Sequence, residues 1–107
     1  MNNSTAWLVQ LLLPLYDNEG LRFGEEPFAA TRAELLERFG GVTVYHRAPA
    51  RGLWKSDSGE VARDDVVVFD VMTRDLDRGW WDAYRRSLER RFRQETIVIR
   101  ALRHEVL

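Results

Sequence analysis

Hydrophobic and polar positions repeat along this chain with two different periods, and together they predict six secondary-structure elements. Apolar or alternating runs are typical of β-strands, which we predict at residues 7–16, 42–48, 66–72 and 96–102, with an alternative end of the last strand at Val106. Apolar residues at helical spacing are typical of amphipathic α-helices, which we predict at residues 27–39 and 76–93, with Leu36 and Trp80 on their apolar stripes. The predicted order is therefore strand, helix, strand, strand, helix, strand.

Proline, glycine and aspartate mark where several of these elements begin or end. Pro14 predicts a bulge or the end of the first strand, because it cannot donate a hydrogen bond to a neighbouring strand. Pro27 suits the first turn of a helix, and Gly40 with Gly41 predicts a left-handed helix end. Asp75 is the predicted N-cap of the second helix.

The second half of the chain repeats the first at an offset of 53 residues. Identical pairs at this offset are Asp17 with Asp70, Ala30 with Ala83, Arg32 with Arg85, Leu35 with Leu88, Arg38-Phe39 with Arg91-Phe92, Thr43 with Thr96 and Arg47-Ala48 with Arg100-Ala101. An internal repeat indicates two copies of one structural unit. We interpret residues 1–107 as one domain built from two pseudo-repeats, at about 1–53 and 54–107.

Two strand–helix–strand units in succession predict the α+β, ferredoxin-like βαββαβ fold. Each unit prefers a right-handed crossover, which places both helices on one face of an antiparallel four-stranded sheet. The first and third strands are then the central ones.

The central strands are apolar at consecutive positions, at residues 11–13 and 66–69, so both of their faces are expected to be dry. Two helices cover only one face. We interpret the pattern as a homodimer that packs sheet against sheet, in a dimeric α+β barrel-type assembly. The alternative is that the C-terminal tail or the irregular stretch 49–65 folds over the open face.

Composition excludes several classes of function. The net charge of −1 does not favour nucleic acid or anionic lipid as a partner, and the absence of cysteine excludes disulfides and thiol chemistry. The apolar run of residues 7–15 is too short to span a bilayer and lacks the basic flank of a signal peptide. We therefore predict a cytoplasmic protein with no membrane and no nucleic-acid partner.

Alternation along the strands predicts one group of polar side chains on the open face. Tyr45 and Arg47 share one side of the second strand, and Asp70 and Arg100 fall on the same side of their own strands, with Gln10 a further candidate. They could line a cavity for a small acidic ligand, since arginine and tyrosine donate hydrogen bonds to a carboxylate, enolate or phenolate. The preferred alternative is an ion-pair network at a dimer interface, in which Arg47 and Asp70 neutralise each other on neighbouring strands.

Two other residues are weaker candidates for ligand contact. His46 is expected to point toward the helices, as a structural histidine or as a ligand or base. Trp54 either covers the edge of the core or closes a pocket. His104 is expected to be solvated, and two distant histidines without cysteine give no metal-site pattern, so no metal or other cofactor is predicted.

Four short motifs resemble an uncharacterised family of small bacterial proteins. They are Arg38-Phe-Gly-Gly-Val-Thr-Val-Tyr45, Gly52-Leu-Trp-Lys55, Ser58-Gly-Glu-Val61 and Arg90-Arg-Phe-Arg-Gln-Glu-Thr-Ile97. The family pattern is a leading Leu-Tyr, an Arg-Phe-Pro-x-Gly-Leu-Thr-Val segment, a Gly-Gln-Trp loop and a closing Arg-Phe-x-Gln-Glu. This resemblance supports the fold and implies no activity. The layout also resembles the dimeric α+β barrel group, which includes monooxygenases, isomerases and ligand-binding regulators.

Two hypotheses for function follow. One is a small dimeric, non-enzymatic ligand-binding or accessory module. The other is a cofactor-independent monooxygenase or isomerase that acts on a small aromatic or lactone-like acid held against the sheet. The first is preferred because the sequence names no acid–base pair.

Overall fold

The computed structural model describes residues 4–46 and 66–107 of the 107-residue chain. Its elements are β1 (Ser4–Pro14), α1 (Glu25–Phe39), β2 (Thr43–His46), β3 (Val66–Thr73), α2 (Arg78–Arg91) and β4 (Val98–Val106). The predicted βαββαβ order and the ferredoxin-like α+β fold class are therefore confirmed.

The four strands form one antiparallel sheet in the order β2-β3-β1-β4, with β1 and β3 in the centre as predicted. Val9 and Leu11 of β1, and Phe69 of β3, point to the face that both helices cover. Leu35 of α1 and Leu88 of α2, which align in the sequence repeat, are both fully buried there. The hydrophobic core thus lies on one side of the sheet only.

Strand and helix boundaries differ from the prediction where pairing or capping decides them. β1 begins at Ser4, because Ser4 pairs with Val106 of a β4 strand that is longer than predicted. Pro14 ends β1, as its missing donor requires. Helix α2 begins at Arg78, so Asp77 and not Asp75 is the N-cap.

The buried face of each helix also differs in part from the predicted stripe. Leu36, which the sequence places on the buried stripe of α1, is 53% exposed, whereas Thr31 is fully buried. On α2, Trp81 is buried, whereas the neighbouring Trp80 is only half-buried. Which side chains of a helix are buried depends on where the two helices contact each other. The period of apolar residues in one helix does not specify that contact.

A polar network joins the two helices. Arg91 of α2 donates hydrogen bonds to both carboxylate oxygens of Glu34 at 2.8 and 2.7 Å, and to the hydroxyl of Thr31 at 2.8 Å. Tyr84 donates to Glu34 at 2.8 Å. The hydrogen bond from Arg91 lowers the pKa of Glu34, while burial and the nearby Glu34 raise the pKa of Tyr84.

Candidate functional site on the open sheet face

On the sheet face opposite the helices, one polar side chain from each strand lies in a single register across the sheet. Thr43 pairs with Asp70, Asp70 with Gln10, and Gln10 with Arg100, so the four residues cross the sheet from β2 to β4. Alternation along β3 places Asp70 here, because its neighbours Phe69 and Val71 are in the core. We call these four residues the polar row.

Within the polar row, Arg100 is held by an amide. Its Nε donates a hydrogen bond of 2.8 Å to Oε1 of Gln10. Among the residues that the structure describes, Arg100 forms no ion pair with Asp70, which is two strands away. Within the same described residues, the terminal nitrogens of Arg100 form no hydrogen bond, which leaves them for other acceptors on this face.

Large apolar side chains surround the polar row. Those with substantial exposure on this face are Tyr45, Met72, Val98, Leu102 and Val106. Leu8 and Leu12 lie between them on β1 and are half-buried. An apolar sheet face of this extent indicates a surface that contacts something other than water.

Two depressions lie on the open face and share Tyr45 as a wall. The larger one has a volume of about 710 Å³ and is lined by, among others, Leu8, Thr43, Tyr45, Asp70, Met72 and His104. The smaller one, of about 260 Å³, is lined by Gln10, Tyr45, Val68 and Arg100. The structure thus divides the predicted group, with Asp70 in one depression, Arg100 in the other and Tyr45 between them.

His104 is a component of this face that the sequence interpretation missed. We expected it to be solvated, but its Nδ1 is buried and its Nε2 lies 3.2 Å from Sδ of Met72. Continuing the alternation of β4 from Val98 through Arg100 to position 104 would have placed it on the open face. The error came from preferring an end of the strand at residue 102 over the alternative end at Val106, which the structure shows.

The remaining predicted site residues are only partly placed. His46 is the last residue of β2 and pairs with Val67 through the backbone. Arg47 and Trp54 lie outside the described residues, and so does the stretch 49–65 that could have covered the open face. The residues after position 102, which were the other possible cover, extend β4 instead.

A third depression lies on the opposite side of the sheet, between α2 and β4. It has a volume of about 210 Å³ and an apolar floor that includes Trp81 and Ile99. Its rim residues Asp82 and Arg85 already form an ion pair at 2.7 Å. The lining of this depression also includes Arg78 and Arg100.

No group of three or more histidine, aspartate or glutamate side chains suited to a metal ion occurs in the part of the chain that the structure describes. In the same part, no helix is long and apolar enough to cross a membrane.

Comparison with known proteins supports the fold and leaves the family open. No protein-family model and no curated protein matches the chain, so the bacterial-family resemblance depends on its short motifs alone. A similar solved structure is a phage SAM lyase in complex with S-methyl-5'-thioadenosine. The two share 13% sequence identity with a TM-score of 0.58, over 99% of this chain and 92% of that chain. At this identity the likeness shows a shared fold and nothing about activity.

Proposed function

We propose that this protein binds a small acidic organic ligand on the open face of its sheet, and that a second copy of the chain covers that face. The observation that supports the proposal is the polar row, which crosses a face that is otherwise apolar. A solvated sheet face would carry polar side chains along its whole length, whereas a binding face combines apolar contact area with a few polar groups.

Arg100 is the residue proposed to bind the acidic group. A guanidinium binds a carboxylate through two parallel hydrogen bonds, and the bond from Nε to Gln10 fixes its orientation while leaving the terminal nitrogens available. Tyr45 forms the wall next to it and supplies an aromatic ring and a hydroxyl. From the alternation of β2 we propose that Arg47 contributes to the same face.

The size and charge of the open face suit a second copy as its cover. Strands spaced about 4.8 Å apart and roughly eight residues long give a face of about 500 Å². Two copies would bury about 1,000 Å², which meets the lower bound for a specific interface. In a dimer whose two-fold axis runs parallel to the strands, the Gln10–Arg100 half of one polar row would lie over the Thr43–Asp70 half of the partner's row. The half that carries the positive charge of Arg100 would then face the half that carries the negative charge of Asp70.

An enzyme remains the second candidate, because the similar solved structure is a lyase bound to a nucleoside thioether. The monooxygenase or isomerase hypothesis from the sequence would use the same face. The ligand-binding module and the enzyme both require a ligand in the depressions, so one binding experiment tests both candidates.

The test is thermal unfolding of the full chain with a panel of small aromatic and aliphatic acids and with S-methyl-5'-thioadenosine. A ligand at 100 times its Kd contributes about 2.7 kcal/mol, which raises the melting temperature by several degrees in a protein of this size. We expect at least one acid to do so, and Arg100→Gln to remove the effect. Arg90→Gln, on the exposed side of α2, is the matched control.

Three results would contradict the proposal. The first is that none of the acids raises the melting temperature of the unmodified protein. The second is that Arg100→Gln and Arg90→Gln reduce the response equally. The third is that Arg100→Gln dissociates the protein in the absence of any ligand, which would assign Arg100 to the interface alone and contradict its role as the acid-binding residue.

A further inference from the structure

Strand β4 forms an edge of the sheet, and its end extends beyond β3. Among the described residues, β4 pairs with β1 on one side and with no strand on the other. The pairing of β1 with β3 begins at Trp7, so residues 4–6 of β1 pair with β4 alone. A two-stranded ribbon is marginally stable in water, and a free strand edge is a template for a further strand. The end of β4 is therefore the place in this sheet where another strand would add most.

β4 lacks the features that usually prevent strands from pairing edge to edge. Such features are proline, a bulge, a short strand, or charges that repel a copy of the same strand. β4 is nine residues long, contains neither proline nor glycine, and pairs with β1 in a continuous register. Its last charged residues, Arg103 and Glu105, have opposite sign and project from the same face of the strand. Neither forms an ion pair within the described part of the chain.

A two-fold axis perpendicular to the sheet would pair β4 antiparallel with a copy of itself. Each possible register is centred on one residue, because directly opposed residues point to the same face. Of the registers centred within residues 98–106, only the one centred on His104 opposes side chains of opposite charge. The registers centred on Arg100, Arg103 or Glu105 oppose two like charges instead. The sequence of β4 is thus complementary to itself in one register.

We propose that the edge of β4 pairs with β4 of a second copy in this register, which joins two four-stranded sheets into one sheet of eight strands. Arg103 opposes the partner's Glu105, and the reverse pair forms on the other side of the axis. On the open face, Leu102 opposes the partner's Val106, and these side chains are 46% and 48% exposed in the single chain. Pairs of opposite charge and apolar pairs both stabilise an antiparallel ladder, and the free backbone groups of the edge gain hydrogen bonds.

This edge contact is separate from the proposed contact between open faces and does not depend on it. The register overlaps residues 101–107 of each copy, so Val98 and the polar row lie outside it. A single strand edge buries less area than the roughly 1,200 Å² of a standard interface, so we expect a dissociation constant of about 0.1–1 mM. Val98→Glu, which should separate the open faces, therefore isolates the edge contact.

An exchange of charges between two variants tests the register. Sedimentation equilibrium of the Val98→Glu chain, at about pH 8 so that the imidazoles at the axis are uncharged, should show a monomer–dimer equilibrium. In that chain, Glu105→Arg opposes two arginines in each pair and Arg103→Glu opposes two glutamates, so each should weaken dimerisation about tenfold. An equimolar mixture of these two variants opposes opposite charges in both pairs and should restore the dimer.

Glu37→Arg and Arg90→Glu are the matched control pair. They make the same changes of net charge at exposed positions of α1 and α2, so a general attraction between oppositely charged chains acts on them equally. Mixing these two variants should not increase association. The same series in the unmodified chain, where the edge contact adds to the contact between open faces, gives the answer if Val98→Glu does not fold.

Four outcomes would overturn the edge contact. They are no dimer of the Val98→Glu chain at about 1 mM, undiminished dimerisation of either single charge variant, no gain on mixing Glu105→Arg with Arg103→Glu, and an equal gain for the control pair. Failure of the acids to bind, or absence of the contact between open faces, would contradict the proposed function and leave these four comparisons unchanged.

Discussion

Arg91 shows how one side chain connects the two helices through several hydrogen bonds. It donates to Glu34 through two nitrogens and to Thr31, whose own hydroxyl donates to the backbone oxygen of Pro27 at 2.7 Å. Thr31 is fully buried, so Arg91 completes the hydrogen bonding of a polar group in the core. Arg91 is therefore a structural residue within the arginine-rich end of α2.

Replacement of Glu34 should give a pH-dependent loss of stability. The hydrogen bond from Arg91 lowers the pKa of Glu34, so the folded state favours the ionised carboxylate. That stabilisation is present above the ordinary glutamate pKa of about 4.3 and is lost as the pH falls below it. Glu34→Gln should therefore lower the unfolding free energy by about 1 kcal/mol at neutral pH, with a difference that vanishes in acid.

Urea denaturation across the pH range measures this difference. Glu37→Gln, an exposed glutamate on the same helix, is the matched control and should change stability by less than about 0.5 kcal/mol throughout. A loss for Glu34→Gln that stays constant from neutral to acid pH would show that packing, and not charge, is what Glu34 contributes.

At the scale of elements, the start of α2 illustrates how a local signal can be ambiguous. Asp75 and Asp77 both precede the helix, and either residue type makes a good N-cap. In the structure the Asp77 carboxylate accepts a hydrogen bond of 3.0 Å from the backbone nitrogen of Trp80. Asp75 contributes only its backbone oxygen, which accepts from Thr73. The cap therefore lies one half-turn later than the sequence interpretation placed it.

The two aspartates provide a direct test of the cap assignment. Asp77→Ala removes the acceptor for the Trp80 nitrogen and should lower the unfolding free energy by about 1 kcal/mol. Asp75→Ala leaves the backbone contact of Thr73 in place and should cost less than about 0.5 kcal/mol. Thermal or chemical denaturation of both variants measures the difference. Equal losses, or a larger loss for Asp75→Ala, would contradict this cap.

At the scale of the whole molecule, the sheet has two unequal faces. One carries the core beneath both helices, and the other carries the polar row among exposed apolar side chains. Val68 in the middle of the open face is only 9% exposed even in a single chain. A charge at Val68 would therefore strain the fold itself, which makes a more exposed position the better probe of assembly.

Val98 and Leu36 form a matched pair for that purpose. They are 50% and 53% exposed, but Val98 is on the open face and Leu36 is on the helix layer. If a second copy covers the open face, the unmodified protein should be a dimer at micromolar concentration. Val98→Glu should then give a folded monomer, because an unpaired carboxylate is costly to bury in an interface.

Light scattering after size-exclusion chromatography gives the masses, and circular dichroism confirms folding. Leu36→Glu should keep the mass of the unmodified protein. A monomeric unmodified protein, or dissociation by both substitutions alike, would reject the open face as the interface.

The sequence by itself determined which residues share a strand face or a helix face, because those patterns are local. Alternation placed Asp70 and Arg100 on the side opposite the helices, and the order of elements predicted the central position of β1 and β3. The repeat likewise aligned Leu35 with Leu88, both fully buried. Each inference needed only the period of an element and the handedness of its connections.

Tertiary structure alone decided which of these residues meet. The side chain of Arg91 reaches Glu34 because two helices cross there, and Arg100 contacts Gln10 because their strands pair in one register. His104 became part of the open face because β1 and β4 pair beyond the last strongly apolar segment of β4. Such contacts join residues far apart in the sequence, and their partners depend on register and packing, which local patterns do not encode.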